Sequence, residues 1–336
     1  MTRLAVVMPC YNEEAVLAET CERMTALLGR LAAGGTISPE SRLYLVDDGS
    51  TDRTWEMIRS FVQGGLPVVG IKLSRNRGHQ NALLAGLFSA EGDAVVSMDA
   101  DLQDDINAVE EMVARYHEGC DVVYGVRGRR PSDSTLKRFS AKTFYRLMKV
   151  LGAQAVYNHA DYRLMSRRAI EALEEFREVN LFLRGIIPLI GFRSSTVYYE
   201  RGPRFAGESK YPIRKMIEFA LDAITSFSVV PLRMITVVGF LVFLFTTAMS
   251  GYVLWTRLFT DIAVPGWAST VLPVYFLGGV QIFCVGLIGE YMGKLYAESK
   301  ARPRFIIEEV LKEGFAGGRA TPRKQEADAL ARILEP

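Results

Sequence analysis

Short apolar runs alternate with amphipathic segments through the first 127 residues, and this alternation constrains the fold more than any other feature of the chain. The apolar runs predict five strands, at residues 4–8, 42–50, 68–74, 93–99 and 121–127. The segments between them predict four helices, at residues 12–32, 51–63, 78–90 and 106–119. Strands that alternate with helices pair mostly in parallel, because each helix returns the chain to the same end of the sheet. We therefore expect an α/β fold with a mostly parallel sheet and helices on both faces.

Acidic side chains follow three of these strands, in the sequences PCYNEE, VDDGSTD and DADLQDD. Ligands of such sheets bind beyond the carboxyl ends of the strands. Asp99 and Asp101 supply hard oxygen ligands at i and i+2, which suit Mg²⁺ or Mn²⁺ holding a diphosphate. A solvated turn with capping aspartates is the alternative for one motif alone. The convergence of three motifs favours the metal–diphosphate site. The usual dinucleotide and P-loop signatures are absent from the sequence.

Two long uncharged segments lie in the C-terminal half, at residues 234–256 and 262–289. Each is long enough to cross a bilayer. A buried core hairpin is the alternative, but two such lengths in tandem favour a pair of transmembrane helices. Lys and Arg precede the first segment and follow the second, whereas one Arg and one Asp lie between them. The positive-inside rule then places both termini in the cytoplasm. The N-terminus predicts a strand and not a signal peptide.

Amphipathic segments adjoin the predicted spans. Residues 135–152 and 211–232 suit either packing on the protein or lying at an anionic lipid surface. We therefore expect four parts: an α/β domain (1–210), a juxtamembrane amphipathic helix (211–232), a two-span transmembrane hairpin (233–293) and a cytoplasmic tail (294–336) that includes a flexible linker. The net charge of +2 does not indicate a nucleic-acid partner. The four cysteines lack metal-ligand spacing, which favours free thiols in a reducing compartment.

Four motifs, PCYNEE, VDDGSTD, RNRGHQNALLAG and DADLQD, resemble those of the family-two glycosyltransferases of GT-A fold. The sequences HADYRLMSRRA and RFAGESKYPIRKM, followed by two spans, are similar to the polyprenyl-phosphate branch, which includes dolichyl-phosphate mannose synthases and bactoprenol glucosyltransferases. The resemblance covers about residues 4–305. It implies a GT-A-type domain followed by a juxtamembrane helix and two transmembrane helices.

The resemblance implies a nucleotide-sugar site at matching positions. The residues assigned to it are Pro9, Tyr11, Asn12, Glu13, Val46, Asp48, Asp99, Ala100, Arg127, Arg204 and Lys210. Among them, Asp48 would contact the base with Val46 beside it. Arg127 would lie near the donor, and Arg204 and Lys210 would contact the phosphates.

The resemblance also implies a metal site and a catalytic group. Asp99, Asp101 and Gln103 would bind Mg²⁺ or Mn²⁺, because a diphosphate beside two carboxylates requires a bridging cation. Asp101, Asp161 and Arg163 would be catalytic, with the last two at the sugar or acceptor end.

Neighbouring polar residues have simpler interpretations. Asp47 and Asp52 are expected in turns and caps, and Asp104 and Asp105 are expected to cap the following helix. His79 is expected to hydrogen-bond locally and not to be catalytic.

The implied reaction is the inverting transfer of one sugar from a nucleotide sugar to undecaprenyl phosphate, for modification of a cell-surface glycan. The motifs favour glucose from UDP-glucose, and GDP-mannose is the alternative donor. The implied location is the cytoplasmic face of the bacterial cytoplasmic membrane, where a homotetramer is one form such relatives take. A processive polysaccharide synthase would require a QxxRW motif, which the chain lacks. A catalytically inactive scaffold would be expected to lose the acidic motif, which this chain retains.

Overall fold

The computed structural model describes residues 1–128, 159–178, 183–200, 267–313 and 315–318, together with single positions between 235 and 259. These residues fall into two compact units. The first contains the described residues up to 200 and those from 303 onward, and the second contains those between 235 and 302.

In the described part of the first unit, nine strands form one sheet. They are β1 (Leu4–Cys10), β2 (Arg42–Asp47), β3 (Val68–Leu73), β4 (Ala94–Ser97), β5 (Val122–Arg127), β6 (His159–Ser166), β7 (Ser194–Tyr199), β8 (Ile307–Lys312) and β9 (Phe315–Gly318). Their spatial order is β7-β5-β6-β4-β1-β2-β3-β8-β9. The central strands β3, β2, β1 and β4 pair in parallel, as do β5 and β7. The prediction of a mostly parallel sheet is therefore confirmed.

Helices cover both faces of this sheet. The described helices are α1 (Leu17–Ala33), α2 (Thr54–Gln63), α3 (His79–Ser89), α4 (Ala108–His117), α5 (Arg167–Glu174), α6 (Leu183–Leu189) and, in the second unit, α7 (Trp267–Ser299). On one face, α1, α2 and α4 share a core with Leu4, Val6 and Met8 of β1. On the other, α3 approaches so closely that a Cβ added to Gly86 would lie 2.3 Å from Val7. Successive strand residues point to opposite faces, so both layers follow from the alternation along β1.

Two antiparallel strands were not expected from the sequence. β6 inserts between β4 and β5, and β8 pairs with the outer edge of β3. Residues after Arg304 were expected to form a charged tail, yet Leu311 is buried in the core. The acids of β8 meet bases of the sheet and of α2, since Glu308 pairs with Lys72 and Glu309 with Arg59, both at 3.1 Å. These contacts explain why a segment of mixed charge joins the sheet.

The second unit contains the second uncharged segment. Helix α7 begins at Trp267 and includes Pro273. Within the described residues, no helix has both the length and the apolar character needed to cross a bilayer. The predicted amphipathic segments at 135–152 and 211–232 lie outside the described residues, and so does most of 234–256. The two transmembrane helices therefore stay a prediction.

Candidate active site

The DAD motif begins two residues after β4 ends, at the carboxyl edge of the parallel strands. Asp101 Oδ1 accepts a hydrogen bond from the backbone N–H of Gln103 at 3.1 Å. The hydroxyl of Thr20, in α1, donates to the carbonyl of Ala100 at 2.9 Å. Leu102 has a φ of 54°, a left-handed conformation that costs a non-glycine residue conformational energy. The loop is thus fixed in a strained form, as is common at ligand-binding sites.

Asp99 lies in an acidic environment that opposes its ionisation. Burial raises the pKa of this carboxyl, and the nearby carboxylates of Asp161, Asp104 and Asp101 raise it further. His79 acts in the opposite direction and lowers the pKa. A cation beside Asp99 would relieve this repulsion, which fits a metal held at this carboxylate.

Asp161, on β6, is held between two guanidinium groups. Arg163 is 1% exposed and donates from Nη2 to Asp161 Oδ1. Arg184, on α6, donates to Oδ2 at 3.1 Å. Burial opposes ionisation of Asp161, but the two arginines outweigh it and hold its pKa well below the ordinary value. The predicted pair of Asp161 and Arg163 is therefore assembled, and Arg184 joins it.

The imidazole of His79 lies between the carboxylates of Asp99 and Asp161. His79 is the first residue of α3, and its Nε2 lies 3.4 Å from Asp99 Oδ1 and 3.8 Å from Asp161 Oδ2. Sequence reasoning expected only a local role for His79 and did not identify Arg184. The residues that meet here are far apart in the chain and belong to different elements. No local sequence pattern predicts their contact, although His79 lies inside one of the motifs that resemble the family.

Asp104 and Asp105 have different roles. Asp105 is exposed and accepts from the backbone N–H of Asn107 at 2.9 Å, as expected of a residue at a helix start. Asp104 is buried and does not cap α4. It accepts from the Tyr199 hydroxyl at 2.7 Å and pairs with Arg127 at 3.5 Å. The predicted donor-site residue Arg127 is therefore tied to the loop that carries the DAD motif.

The loops that follow β1 and β2 are joined by side-chain hydrogen bonds. Asn12 has a φ of 55° and accepts from the backbone N–H of Thr51 at 2.8 Å. The backbone N–H of Glu13 donates to the Thr54 hydroxyl at 2.9 Å. Tyr11 projects from this joint and is 46% exposed, so its ring is accessible to a ligand. The structure thus brings two of the three predicted motifs together at one edge.

Asp48 fixes the loop that leads into α3. Its Oδ1 accepts from the backbone N–H of Arg77 at 2.7 Å, and its Oδ2 accepts from that of Gly78 at 2.9 Å. Burial raises the pKa of Asp48, and these two hydrogen bonds lower it. Gly49 has a φ of 69°, and a Cβ there would lie 2.6 Å from the backbone nitrogen of Asn76. The predicted contact of Asp48 with a base stays a prediction, beside this structural role.

Some assigned residues offer no side-chain surface to a ligand. Val46 is fully buried, and a Cβ added to Gly86 of α3 would lie 2.8 Å from it. The Val46 side chain packs against α3, and the predicted position of this residue beside the base stays a prediction. Pro9 and Ala100 are also buried. Arg204 and Lys210 lie outside the described residues.

The residues present fit a divalent cation that is shared with a substrate. Among the residues that the structure describes, no group of three or more His, Cys, Asp or Glu side chains is arranged to hold a metal ion. Mg²⁺ is commonly bound by one or two carboxylates together with substrate phosphates, and not by a complete protein cage. Asp99 and Asp101 supply such a pair, and Gln103 follows them in a buried position.

Two sequence profiles match the chain. That of glycosyl transferase family 2 matches residues 5–174, and that of the GtrB C-terminal hairpin matches residues 230–295. The first match ends at the last residue of helix α5, and the second covers the predicted transmembrane hairpin.

Known proteins resemble the chain over most of its length. The uncharacterized glycosyltransferase YkoT of Bacillus subtilis (strain 168) is 48% identical over 307 residues, 91% of each chain. A prophage bactoprenol glucosyl transferase homolog of Escherichia coli (strain K12) is 34% identical over 92% of this chain and 100% of its own. Glucosyl-3-phosphoglycerate synthase from Mycobacterium tuberculosis, solved with Mn²⁺, UDP and phosphoglyceric acid, has a TM-score of 0.43 and 20% identity over 67% of this chain and 76% of its own. The likeness to the first two extends beyond the α/β domain.

Proposed function

Since the chain belongs to glycosyl transferase family 2, we propose that it transfers a single sugar from a nucleotide sugar to a polyprenyl phosphate. The names of relatives that are bactoprenol glucosyl transferases support this acceptor. They also favour glucose as the sugar, and we propose UDP-glucose as the donor and undecaprenyl phosphate as the acceptor. The observation that carries the proposal is the pairing of two different acidic groups at one edge of the sheet. Asp99 faces other carboxylates, whereas Asp161 is paired with arginines.

In the proposed reaction, a phosphate oxygen of the lipid attacks the anomeric carbon of the sugar. A new C–O bond forms, the bond from that carbon to the diphosphate breaks, and the nucleoside diphosphate leaves with the electron pair. Attack opposite to the leaving group inverts the anomeric configuration. The lipid phosphate is already ionised near neutral pH, so the reaction needs no general base to create the nucleophile.

The residues of the chain bind and orient the two substrates. Asp99, Asp101 and Gln103 would hold a metal ion, which would supply positive charge to the leaving diphosphate. Asp161 stays ionised because two arginines fix it, so it is a rigid acceptor for a hydroxyl of the sugar. Arg127 adds positive charge near the donor, and Tyr11 offers an exposed ring.

We further propose that the reaction takes place at the cytoplasmic face of the bacterial cytoplasmic membrane. Two spans between residues 233 and 293 would anchor the enzyme, with both termini in the cytoplasm. The match of residues 230–295 to the GtrB C-terminal hairpin supports a distinct structural module in this segment. A reporter fused to the C-terminus, active only in the cytoplasm, tests this orientation.

The reaction is tested by transfer of radiolabelled sugar in membranes that contain undecaprenyl phosphate. The donors are UDP-glucose, UDP-galactose, UDP-N-acetylglucosamine and GDP-mannose, each with Mn²⁺ and with a chelator. We expect label in lipid from UDP-glucose, only with metal, and its loss in Asp101→Ala. Asp105→Ala is the matched control, because Asp105 lies in the same motif but is exposed and only supports the start of α4.

Each other outcome has a defined meaning. Transfer from GDP-mannose alone would replace the donor and keep the reaction. Absence of label in lipid from every donor, with folded protein and acceptor present, would contradict the proposed activity and favour a scaffold.

A further inference from the structure

His79 lies between the carboxylates of Asp99 and Asp161, and the proposed reaction gives this residue no role. Its Nε2 lies within 4 Å of a carboxylate oxygen of Asp99 and of one of Asp161. Ionised carboxylates only accept hydrogen bonds, so an imidazole nitrogen beside them stabilises them as an N–H donor. The nitrogen faces Asp99 Oδ1 at 3.4 Å, and at 3.8 Å from Asp161 Oδ2 it lies beyond hydrogen-bond length of that acid.

The two carboxylates beside His79 have different surroundings. Asp161 is 14% exposed and is bound by Arg163 and Arg184. Asp99 is 33% exposed, and among the described residues it has no ion pair with a Lys or Arg. The acid that lacks a guanidinium partner is also the more accessible one. Direct contact between the Asp99 and Asp161 carboxylates would add electrostatic repulsion at the proposed cation site.

The position of His79 is built into the fold. The Asp48 carboxylate accepts hydrogen bonds from the backbone N–H groups of Arg77 and Gly78, the two residues before His79. Gly78 has a φ of 87°, which glycine adopts without steric cost. The side chain of Asn81 donates to the carbonyl of Arg77 at 2.8 Å and closes the first turn of α3. These hydrogen bonds fix the start of α3, so the His79 ring is held beside Asp99 and Asp161.

The next residue ties the same helix to the element that carries Arg184. Gln80 Oε1 accepts from the backbone N–H of Leu183 at 3.1 Å. Leu183 is the first residue of α6 and directly precedes Arg184. The start of α3 therefore carries the imidazole and also contacts the first residue of the helix whose guanidinium pairs with Asp161.

We propose that His79 is a positioning residue of the nucleotide–metal site, which keeps Asp99 apart from Asp161 and presents Asp99 to the cation and the diphosphate. Asp161 stays with its two arginines and is not a metal ligand. The inference rests on the proposed function and deepens it, since it assigns the two acids of one cluster to different tasks.

The test compares three variants of the full-length protein in detergent. His79→Leu removes the N–H and keeps an apolar volume. His79→Gln keeps an N–H donor on a flexible chain. His117→Ala is the control, since His117 lies in the same unit and contacts only Thr2 at 3.0 Å among the described hydrogen bonds. Mn²⁺ affinity is measured by electron paramagnetic resonance with UDP present, and UDP affinity by calorimetry with and without Mn²⁺.

We expect His79→Leu to weaken Mn²⁺ binding at least about tenfold, the range typical of lost outer-shell partners of a metal site. His79→Gln should stay within about threefold of the wild type, because it restores a donor to the carboxylate. UDP affinity without metal should change little in either variant. His117→Ala should match the wild type throughout. Circular dichroism melting curves establish that each variant is folded, and His79→Ala replaces the Leu variant if that protein does not fold.

Two results would overturn the inference. One is wild-type Mn²⁺ affinity in a folded His79→Leu or His79→Ala protein. The other is an equal loss in His79→Gln and His79→Leu, which would show that the shape of the ring and not its N–H matters. Failure of the wild type to bind UDP with Mn²⁺ is a different result, since it would contradict the proposed function itself and this role with it.

Discussion

At the scale of single residues, the site depends on a charged side chain that is almost completely buried. Arg163 is 1% exposed, and its Nη2 is bound to Asp161. Among the described residues, Nε and Nη1 of the same guanidinium have no hydrogen-bond partner. A buried charge is strongly destabilising without its counter-ion. The buried guanidinium of Arg163 therefore requires Asp161 to be ionised at this edge of the sheet.

Asp161→Asn should destabilise the protein by about 3 kcal/mol, because removal of one partner from a buried pair leaves an uncompensated charge. The pKa of Asp161 is lowered in the folded protein, so its contribution is complete above the ordinary value of about 4 and is lost as the pH falls below it. Urea unfolding at pH 7 and at pH 3 measures both effects. Glu19→Gln is the control, since Glu19 and Arg23 form an exposed i,i+4 pair worth about 0.5 kcal/mol. An equal cost of the two substitutions would contradict the buried-pair interpretation.

Gly49 is a second residue whose identity is set by its surroundings. Gly49→Ala should cost at least about 2 kcal/mol, because left-handed strain of about 1 kcal/mol is joined by a clash with the loop before α3. Gly65 separates the two causes, since its φ is 76° and a Cβ there would meet open space. Gly65→Ala should show the strain alone. If thermal melts give the same loss for both, the close approach between the two loops does not contribute.

At the scale of elements, the strand ends organise the site. The Asp48 loop follows β2, the DAD loop follows β4, and Asp161 lies on β6, which pairs with β4. A helix start, that of α3, then closes the gap between them with His79. The loops after the parallel strands thus carry Asp48 and Asp99, and the antiparallel strand β6 beside β4 adds Asp161 together with its partner Arg163.

The first five strands and four helices were predictable from the sequence because each carries its own periodicity. β6 and β8 were not, since an antiparallel strand inserted from a distant part of the chain depends on its partner and not on its own pattern. Within the site, Asp99 and Asp101 were recognisable as a local motif. The contact of His79 with Asp161 was not, because it requires the register of β6 on β4 and the start of α3 to be known together.

The strand β8 gives a prediction at this scale. Leu311 is buried in the core although it lies far beyond the α/β motifs in the sequence. Leu311→Ala should destabilise the first unit by about 2 kcal/mol, the lower end of the range for a buried leucine, since it lies near the sheet edge. Ile306 precedes the strand and is 51% exposed, so Ile306→Ala should cost less than about 0.5 kcal/mol. Equal and small losses in chemical denaturation would mean that β8 is not an integral part of the sheet.

At the scale of the whole molecule, the first unit is assembled from both ends of the chain. Its described residues come from the N-terminal 200 residues and from 303 onward, whereas those between 235 and 302 form the second unit. The strand β8, which follows the second unit in the sequence, pairs with β3. Because Ser74 donates its backbone N–H to the carbonyl of Ile306 at 3.0 Å, that pairing reaches the start of the loop that leads to His79. The contacts of β8 therefore extend from the sheet edge to the loop that leads into the site.

Ligand binding should raise the stability of this molecule through Asp99. The folded-state pKa of Asp99 is raised, so its ionisation costs stability as the pH rises through that pKa, and the cost is absent below the ordinary value of about 3.9. Asp99→Asn should therefore melt at a higher temperature than the wild type at pH 7 without ligand, and the difference should disappear below about pH 4. Mn²⁺ with UDP at a hundred times the dissociation constant should stabilise the wild type by about 2.7 kcal/mol.

The same ligands should stabilise Asp99→Asn less than the wild type, because an amide oxygen in place of a carboxylate removes the negative charge that attracts the cation. Asp105→Asn is the control, since Asp105 is exposed in the same loop and should behave as the wild type in both conditions. Thermal melts with a chelator, with Mn²⁺ alone and with Mn²⁺ and UDP distinguish these cases. A full ligand-induced shift in Asp99→Asn would remove Asp99 from the metal site. A lower melting temperature of unliganded Asp99→Asn than of the wild type would contradict the prediction. It would show that the Asp99 carboxylate stabilises the unliganded fold.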